Sequence, residues 1–174
     1  MTSDIRKLQL IDTDILKDVV KTLDRHHLNY YMIGGTLLGA IRHKGFIPWD
    51  DDMDIAMPRR DYELFLSKFA RELPTNLAVD NFKTNKKYKY YITRIENTDY
   101  KVREIRNQNI EDSFAHVSID IFPIDGTPNN EFLRKFYYFQ VLSYRALISL
   151  VQKDNIDRAR KRSALEKLTI FIGT

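Results

Sequence analysis

The stretch Phe46–Pro58, FIPWDDDMDIAMP, constrains the fold more than any other part of the chain. Four aspartates fall within the five positions Asp50 to Asp54, directly before an apolar run. Like charges this close repel one another, so a chain that keeps them needs solvent or a cation to offset them. From Asp51 to Met57 the residues alternate as a β-strand demands, because successive side chains point to opposite faces. Met53, Ile55 and Met57 then share a face suited to a core, while Asp52, Asp54 and Ala56 share the other. Two carboxylates on one face stand about 7 Å apart at the backbone and can converge on one ion. Hard divalent cations such as Mg²⁺ favour carboxylate oxygens, waters and substrate phosphates.

His116–Ile124, HVSIDIFPI, repeats the pattern, with Val117, Ile119 and Ile121 on one face and Ser118 and Asp120 on the other. A lone Asp in an apolar strand is costly without a partner. If the two strands are neighbours, Asp120 joins Asp52 and Asp54 in a three-carboxylate cluster that can hold one or two metals for phosphoryl-type transfer. Each feature alone has a plainer explanation: a solvated turn or helix cap for DDDMD, a structural ion pair for Asp120. A calcium loop of the EF-hand type does not fit. Starting from Asp50, its required glycine falls on Ile55 and its bidentate Glu on Asp61.

Gly34-Gly35 lies between the β-prone Asn29–Ile33 and a short helix over Thr36–His43. Glycines there let backbone N–H groups approach a phosphate at the positive helix end, although a tight turn explains the pair equally well. Arg42 and Lys44 follow within reach and can neutralise phosphate charge, or else stand as solvated helix-end cations. Trp49 can stack on a cytosine base or a choline cation, or pack the acidic strand against a helix.

Around these motifs the periodicity predicts an amphipathic helix over Ile5–His27, with Ile5, Leu8, Ile11, Ile15, Val19 and Leu23 at helical spacing. A helix opening at Pro58 runs to about Leu73, and β segments follow over Asn76–Phe82 and Lys89–Ile105. A hairpin turn is expected at Asn97-Thr98-Asp99. Beyond Pro128 a long helix or helical pair continues almost to Thr174. This order makes a mixed α/β domain, and 174 residues suffice for one ordinary core.

The absence of Cys removes a thiolate zinc site and a Cys nucleophile, and it fits a reducing compartment. His26, His27, His43 and His116 show no zinc spacing. No apolar run approaches the roughly 20 residues of a spanning helix, and MTSDIRKLQLID is not a signal peptide. A net charge of +4 does not argue for nucleic acid, and none is expected as a partner. The segment from Glu131 onward carries nine Lys or Arg against four acids, with RARKR at Arg158–Arg162. A solvated helix face is the default reading, and peripheral contact with an anionic membrane the second. Tyr88, Tyr90 and Tyr91, in KKYKYY, line a substrate cleft or form an edge strand.

The run GGTLLGAIRHKGFIPWDDDMDIAMPRRDYELF, followed by SIDIFPIDG, resembles the LicD family of phosphocholine transferases, which groups with the fukutin-type proteins in the nucleotidyltransferase-fold superfamily. The resemblance covers roughly residues 28 to 126. It implies a nucleotidyltransferase-like mixed sheet flanked by helices, with a catalytic core over 1–128 and a helical C-terminal segment over 129–174. That segment is expected to be truncated, because LicD-type proteins continue further, with aromatic, Gly and Asp residues not found here.

The implied activity is metal-dependent transfer of phosphocholine from CDP-choline, or of the alcohol phosphate from a related CDP-alcohol, to a hydroxyl of a cell-surface glycan, lipopolysaccharide or teichoic-acid precursor, releasing CMP. Asp52, Asp54 and Asp120 are the expected catalytic and metal-binding residues, with Mg²⁺ or Mn²⁺ as cofactor. Gly34, Gly35, Thr36, Arg42, Lys44 and Trp49 are the expected substrate contacts, and the place of work is the cytoplasm, peripherally at the inner membrane face. A nucleotidyltransferase, a ribitol-phosphate transferase and a silent membrane- or partner-binding module are the alternatives.

Overall fold

A computed structural model describes residues 4–85, 88, 90–103 and 114–156. The chain divides into two compact units, Met1–Asp125 and Gly126–Thr174. The first unit opens with helix α1 (Asp4–Arg25), followed by strand β1 (Tyr31–Met32), helix α2 (Gly34–Arg42) and strand β2 (Asp54–Pro58). Helix α3 (Arg59–Leu64) runs on through a π turn (Phe65–Phe69) and a 3-10 turn (Ala70–Glu72) to strands β3 (Leu77–Asp80), β4 (Thr93–Arg103) and β5 (Phe114–Ile124). The second unit carries helix α4 (Glu131–Ile156), while Arg158–Arg162 lies outside the described residues. No helix among the described residues is long and apolar enough to cross a membrane.

The five strands form one mixed sheet in the order β1-β2-β5-β4-β3. Only β2 and β5 are parallel, and the remaining neighbours are antiparallel. Their apolar faces meet as the alternation predicts: Met53, Ile55 and Met57 of the β2 segment are buried with Val117, Ile119 and Ile121 of β5. Ile15, Val19 and Leu23 of α1 complete that core, together with Tyr62 and Phe65 from the α3 region. Burial of side chains this large contributes roughly 1.5–3 kcal/mol each relative to exposure. The Tyr62 hydroxyl finds the Thr93 hydroxyl at 2.6 Å, so its one polar atom is satisfied inside the core.

Two expectations need correction. The turn at Asn97-Thr98-Asp99 does not reverse the chain. β4 is one strand paired with β5 along its length, and Thr98, Asp99 and Tyr100 form a bulge between the pairs Asn97↔Val117 and Lys101↔His116. The Asn97 side chain accepts from the Asp99 amide, and the Thr98 amide is taken by the Asn76 carbonyl, so the turn-forming residues are satisfied without a hairpin. The acidic strand is also shorter than expected. It begins at Asp54, and Asp52 lies in the extended lead before it.

Arg59 closes the far ends of β2 and β5 together. Its guanidinium donates twice to Asp125, Nε to Oδ1 at 2.7 Å and Nη2 to Oδ2 at 2.6 Å. This fork geometry fixes direction as well as attraction.

Candidate active site

The acidic groups gather where β2 and β5 begin to run side by side. Asp54 and Asp120 are register partners across the parallel pair. The Asp120 amide donates to the Met53 carbonyl at 2.9 Å, which carries the pairing back past the strand start toward Asp52. The Asp54 carboxyl is pushed up to about 6, by burial first and then by the charges of Asp52, Asp120 and Asp50. Burial raises Asp120 as well, against the opposing pull of Arg94, and the charge of Asp52 adds to the rise. Asp52, Asp54 and Asp120 thus share one electrostatic environment.

Helix α2 brings its positive end to these acids. Its first residue, Gly34, has φ +55 in the left-handed region, and a Cβ there would sit 3.2 Å from Asp54 Oδ2. At Gly35 a Cβ would collide with the Asp50 carboxylate. Thr36 acts as a strut: its hydroxyl accepts from the Asp54 amide at 2.8 Å and ties the first helical turn to the strand start. Ile33 occupies the cap position without a side-chain cap, so first-turn amides retain donor capacity beside the carboxylates.

Three residues that the motif reading passed over lie on the elements around the acids. Arg94 of β4 donates from Nε to Asp120 Oδ1 at 3.0 Å and lies 5.4 Å from the Tyr90 ring centre. Gln9 of α1, buried, donates to the Asp50 carbonyl at 2.8 Å and to the Ile47 carbonyl at 3.3 Å, which anchors the acidic lead. Asp12, one turn further along α1, is 1% exposed. The signal for Gln9 and Asp12 was present: both fall at helical spacing from Ile15, on the inward stripe of α1. Nothing in the local sequence of Arg94 pairs it with Asp120.

Arg42, Lys44 and Trp49 are exposed. Arg42 and Lys44 are exposed at the C-terminal end of α2, and by helical rise Arg42 is about 12 Å along the axis from Gly34. Trp49 is 74% exposed and stands edge-to-face with the His43 ring, with centroids 6.4 Å apart. It does not pack the strand against a helix.

The donor set suits a hard divalent cation, being carboxylate oxygen throughout, with glycine backbone in place of side chains beside Asp50 and Asp54. As placed, no three acidic or imidazole side chains among the described residues close on one point as ligands. The reason is visible in the contacts. Arg94 occupies one oxygen of Asp120, and the Asp50 carboxyl is in side-chain contact with Asp52.

Residues 27–148 match the family described as LicD/FKTN/FKRP, nucleotidyltransferase domain. The chain belongs to this family. It is 34% identical over 131 residues to the lipopolysaccharide cholinephosphotransferase LicD of Haemophilus influenzae, a match covering 72% of this chain and 46% of that protein. An uncharacterised protein of Rickettsia typhi is 30% identical over 135 residues, covering 75% and 40% respectively. Human ribitol 5-phosphate transferase FKRP is 44% identical over 43 residues, 25% of this chain and 9% of that protein. The chain spans less than half the length of these curated relatives. In this LicD-family member the matched region takes in the Gly34 turn, the acidic lead, β2 and β5.

Proposed function

We propose that the protein transfers a phosphorylated alcohol, phosphocholine foremost, from a CDP-alcohol to a hydroxyl of a glycan or glycan precursor, releasing CMP. The observation that carries this reading is the Asp54↔Asp120 register inside a LicD-family domain, with Asp52 leading into the same strand. The donor preference rests on the Haemophilus relative, whose match is far longer than that of the ribitol 5-phosphate transferase. The short second match keeps CDP-ribitol as the alternative donor.

Asp52, Asp54 and Asp120 would hold Mg²⁺ or Mn²⁺, which when bound supplies Lewis-acid neutralisation of the diphosphate. The acceptor hydroxyl oxygen forms a bond to the phosphorus that carries the alcohol. The bond from that phosphorus to the bridging oxygen breaks, and its electron pair leaves with CMP. The hydroxyl proton passes to a carboxylate of the cluster, for which Asp120 is our assignment. Amides of Gly35 and Thr36 at the positive end of α2 stabilise phosphate charge as it shifts toward the leaving group. Arg94, already ion-paired at Asp120, is placed to do the same.

A CMP-release assay over a panel of CDP-alcohols, with Mg²⁺ or Mn²⁺ and with or without glycan acceptors, tests the reading. Release that depends on cation, selects CDP-choline and vanishes in Asp54→Asn is the expected result. Cation-independent release, or none from any CDP-alcohol in the full-length protein, overturns it.

A further inference from the structure

The Arg94 guanidinium is held by two neighbours. Its Nε donates to Asp120 Oδ1 at 3.0 Å, and its central carbon lies over the Tyr90 ring, 5.4 Å from the ring centre. A guanidinium over an aromatic face gains from the negative charge of that face and stacks in a preferred orientation. Tyr90 is braced in turn by Tyr88, edge to face, with ring centres 5.5 Å apart and planes at 75°. The backbone on either side of the two rings is tied down. After them, Ile92 and Thr93 are buried, and Thr93 Oγ1 meets the Tyr62 hydroxyl at 2.6 Å and Asn81 Nδ2 at 3.3 Å. Before them, the carbonyl of buried Asn81 accepts from the Asn85 amide at 2.8 Å, and the Asn85 carbonyl accepts from the Tyr88 amide at 2.9 Å.

This clamp leaves the outer nitrogens of Arg94 open. Among the described residues only Nε is hydrogen-bonded, so Nη1 and Nη2 keep their donors for another acceptor. The Arg94 side chain is 35% exposed and Tyr90 is 52% exposed, so a ligand can reach both. A fork of N–H groups suits two oxygens of a phosphate.

We propose that Tyr90, braced by Tyr88, is a positioning residue for the donor: it fixes the plane of Arg94 so that the terminal nitrogens meet a phosphate of the CDP-alcohol while Nε stays on Asp120. This rests on the donor reading above. Tyr90 touches no reacting atom and acts through Arg94.

The test is the affinity of the full chain for CMP and for CDP-choline, measured in Mg²⁺ by titration calorimetry, with melting temperatures alongside. The variants are Tyr90→Leu, Tyr90→Phe, Arg94→Met and the double variant Tyr90→Leu/Arg94→Met. Expected is affinity about 3- to 10-fold weaker in Tyr90→Leu, with most of the loss restored in Tyr90→Phe, which keeps the ring. Arg94→Met should weaken binding at least as much, and adding Tyr90→Leu to it should cost nothing further, as for a residue that works through another. Additive losses in the double variant, equal losses in the Leu and Phe variants, or wild-type affinity in Tyr90→Leu or Arg94→Met overturn the inference. A lowered melting temperature in Tyr90→Leu with unchanged affinity does the same, since it marks a purely structural role. CMP release that still depends on Asp54 then leaves the proposed function standing. A wild-type chain that binds neither CMP nor CDP-choline sinks both.

Discussion

Arg94 and Asp120 face each other as register partners on β4 and β5, joined from Nε to Oδ1 at 3.0 Å. The pair places a fixed positive charge at the carboxylate cluster and holds one oxygen that a cation would otherwise take. Arg94→Met should lower cation-free stability by about 1–2 kcal/mol, since the pair is only partly buried. Mg²⁺ should then raise the variant's melting temperature more than the wild type's, because a competing charge is gone. Differential scanning fluorimetry with and without Mg²⁺ reads both, and an unchanged Mg²⁺ response would count against competition between Arg94 and the ion.

Stability without cation should fall as pH rises from about 4 to 7. The folded carboxyls of Asp12 and Asp54 titrate near 7 and near 6, above the ordinary 3.8. Below pH 4 both states are protonated and no penalty exists. Across the window the unfolded chain loses these protons first, so the folded state is progressively disfavoured. For buried Asp12 the full effect is on the order of 4 kcal/mol above pH 7. Urea denaturation in EDTA at pH 5 and pH 7.5 measures it, and Asp12→Asn should flatten the profile.

Gly34→Ala should destabilise the fold by about 1–2 kcal/mol, the penalty for an L side chain in the left-handed region. Gly35→Ala acts differently. Its backbone is ordinary, but the added methyl displaces the Asp50 carboxylate. Chemical denaturation of the two variants, paired with the CMP-release assay, should show stability loss in the first and loss of turnover in both.

Thr36→Val removes the acceptor for the Asp54 amide and leaves that N–H without its partner. A loss of about 1–3 kcal/mol is expected, and Thr36→Ser should restore most of it. Equal stability of the Val and Ser variants would show that the hydroxyl is not the strut described above.

Much of this arrangement was legible because strand alternation is exact. Met53, Ile55 and Met57, like Val117, Ile119 and Ile121, lie on the buried face the pattern assigned them. The residues that went unread owe their position to tertiary register. Arg94 looks like any exposed strand cation until β4 is laid against β5, and Asp12 sits on a helix whose apolar spacing draws the eye to Ile11 and Ile15. Asn97-Thr98-Asp99 has turn chemistry, yet the continuing pairing with β5 converts the turn into a bulge. Trp49 followed neither rule: it lies between Pro48 and Asp50 and is 74% exposed.

The parallel contact between β2 and β5 joins segments far apart in sequence, with β3 and β4 made in between. Non-local pairing of this kind raises contact order and tends to slow folding. On the ribosome, a nascent chain that ends before β5 leaves one flank of β2 unpaired. The Asp54↔Asp120 pairing therefore cannot form until β5 has emerged.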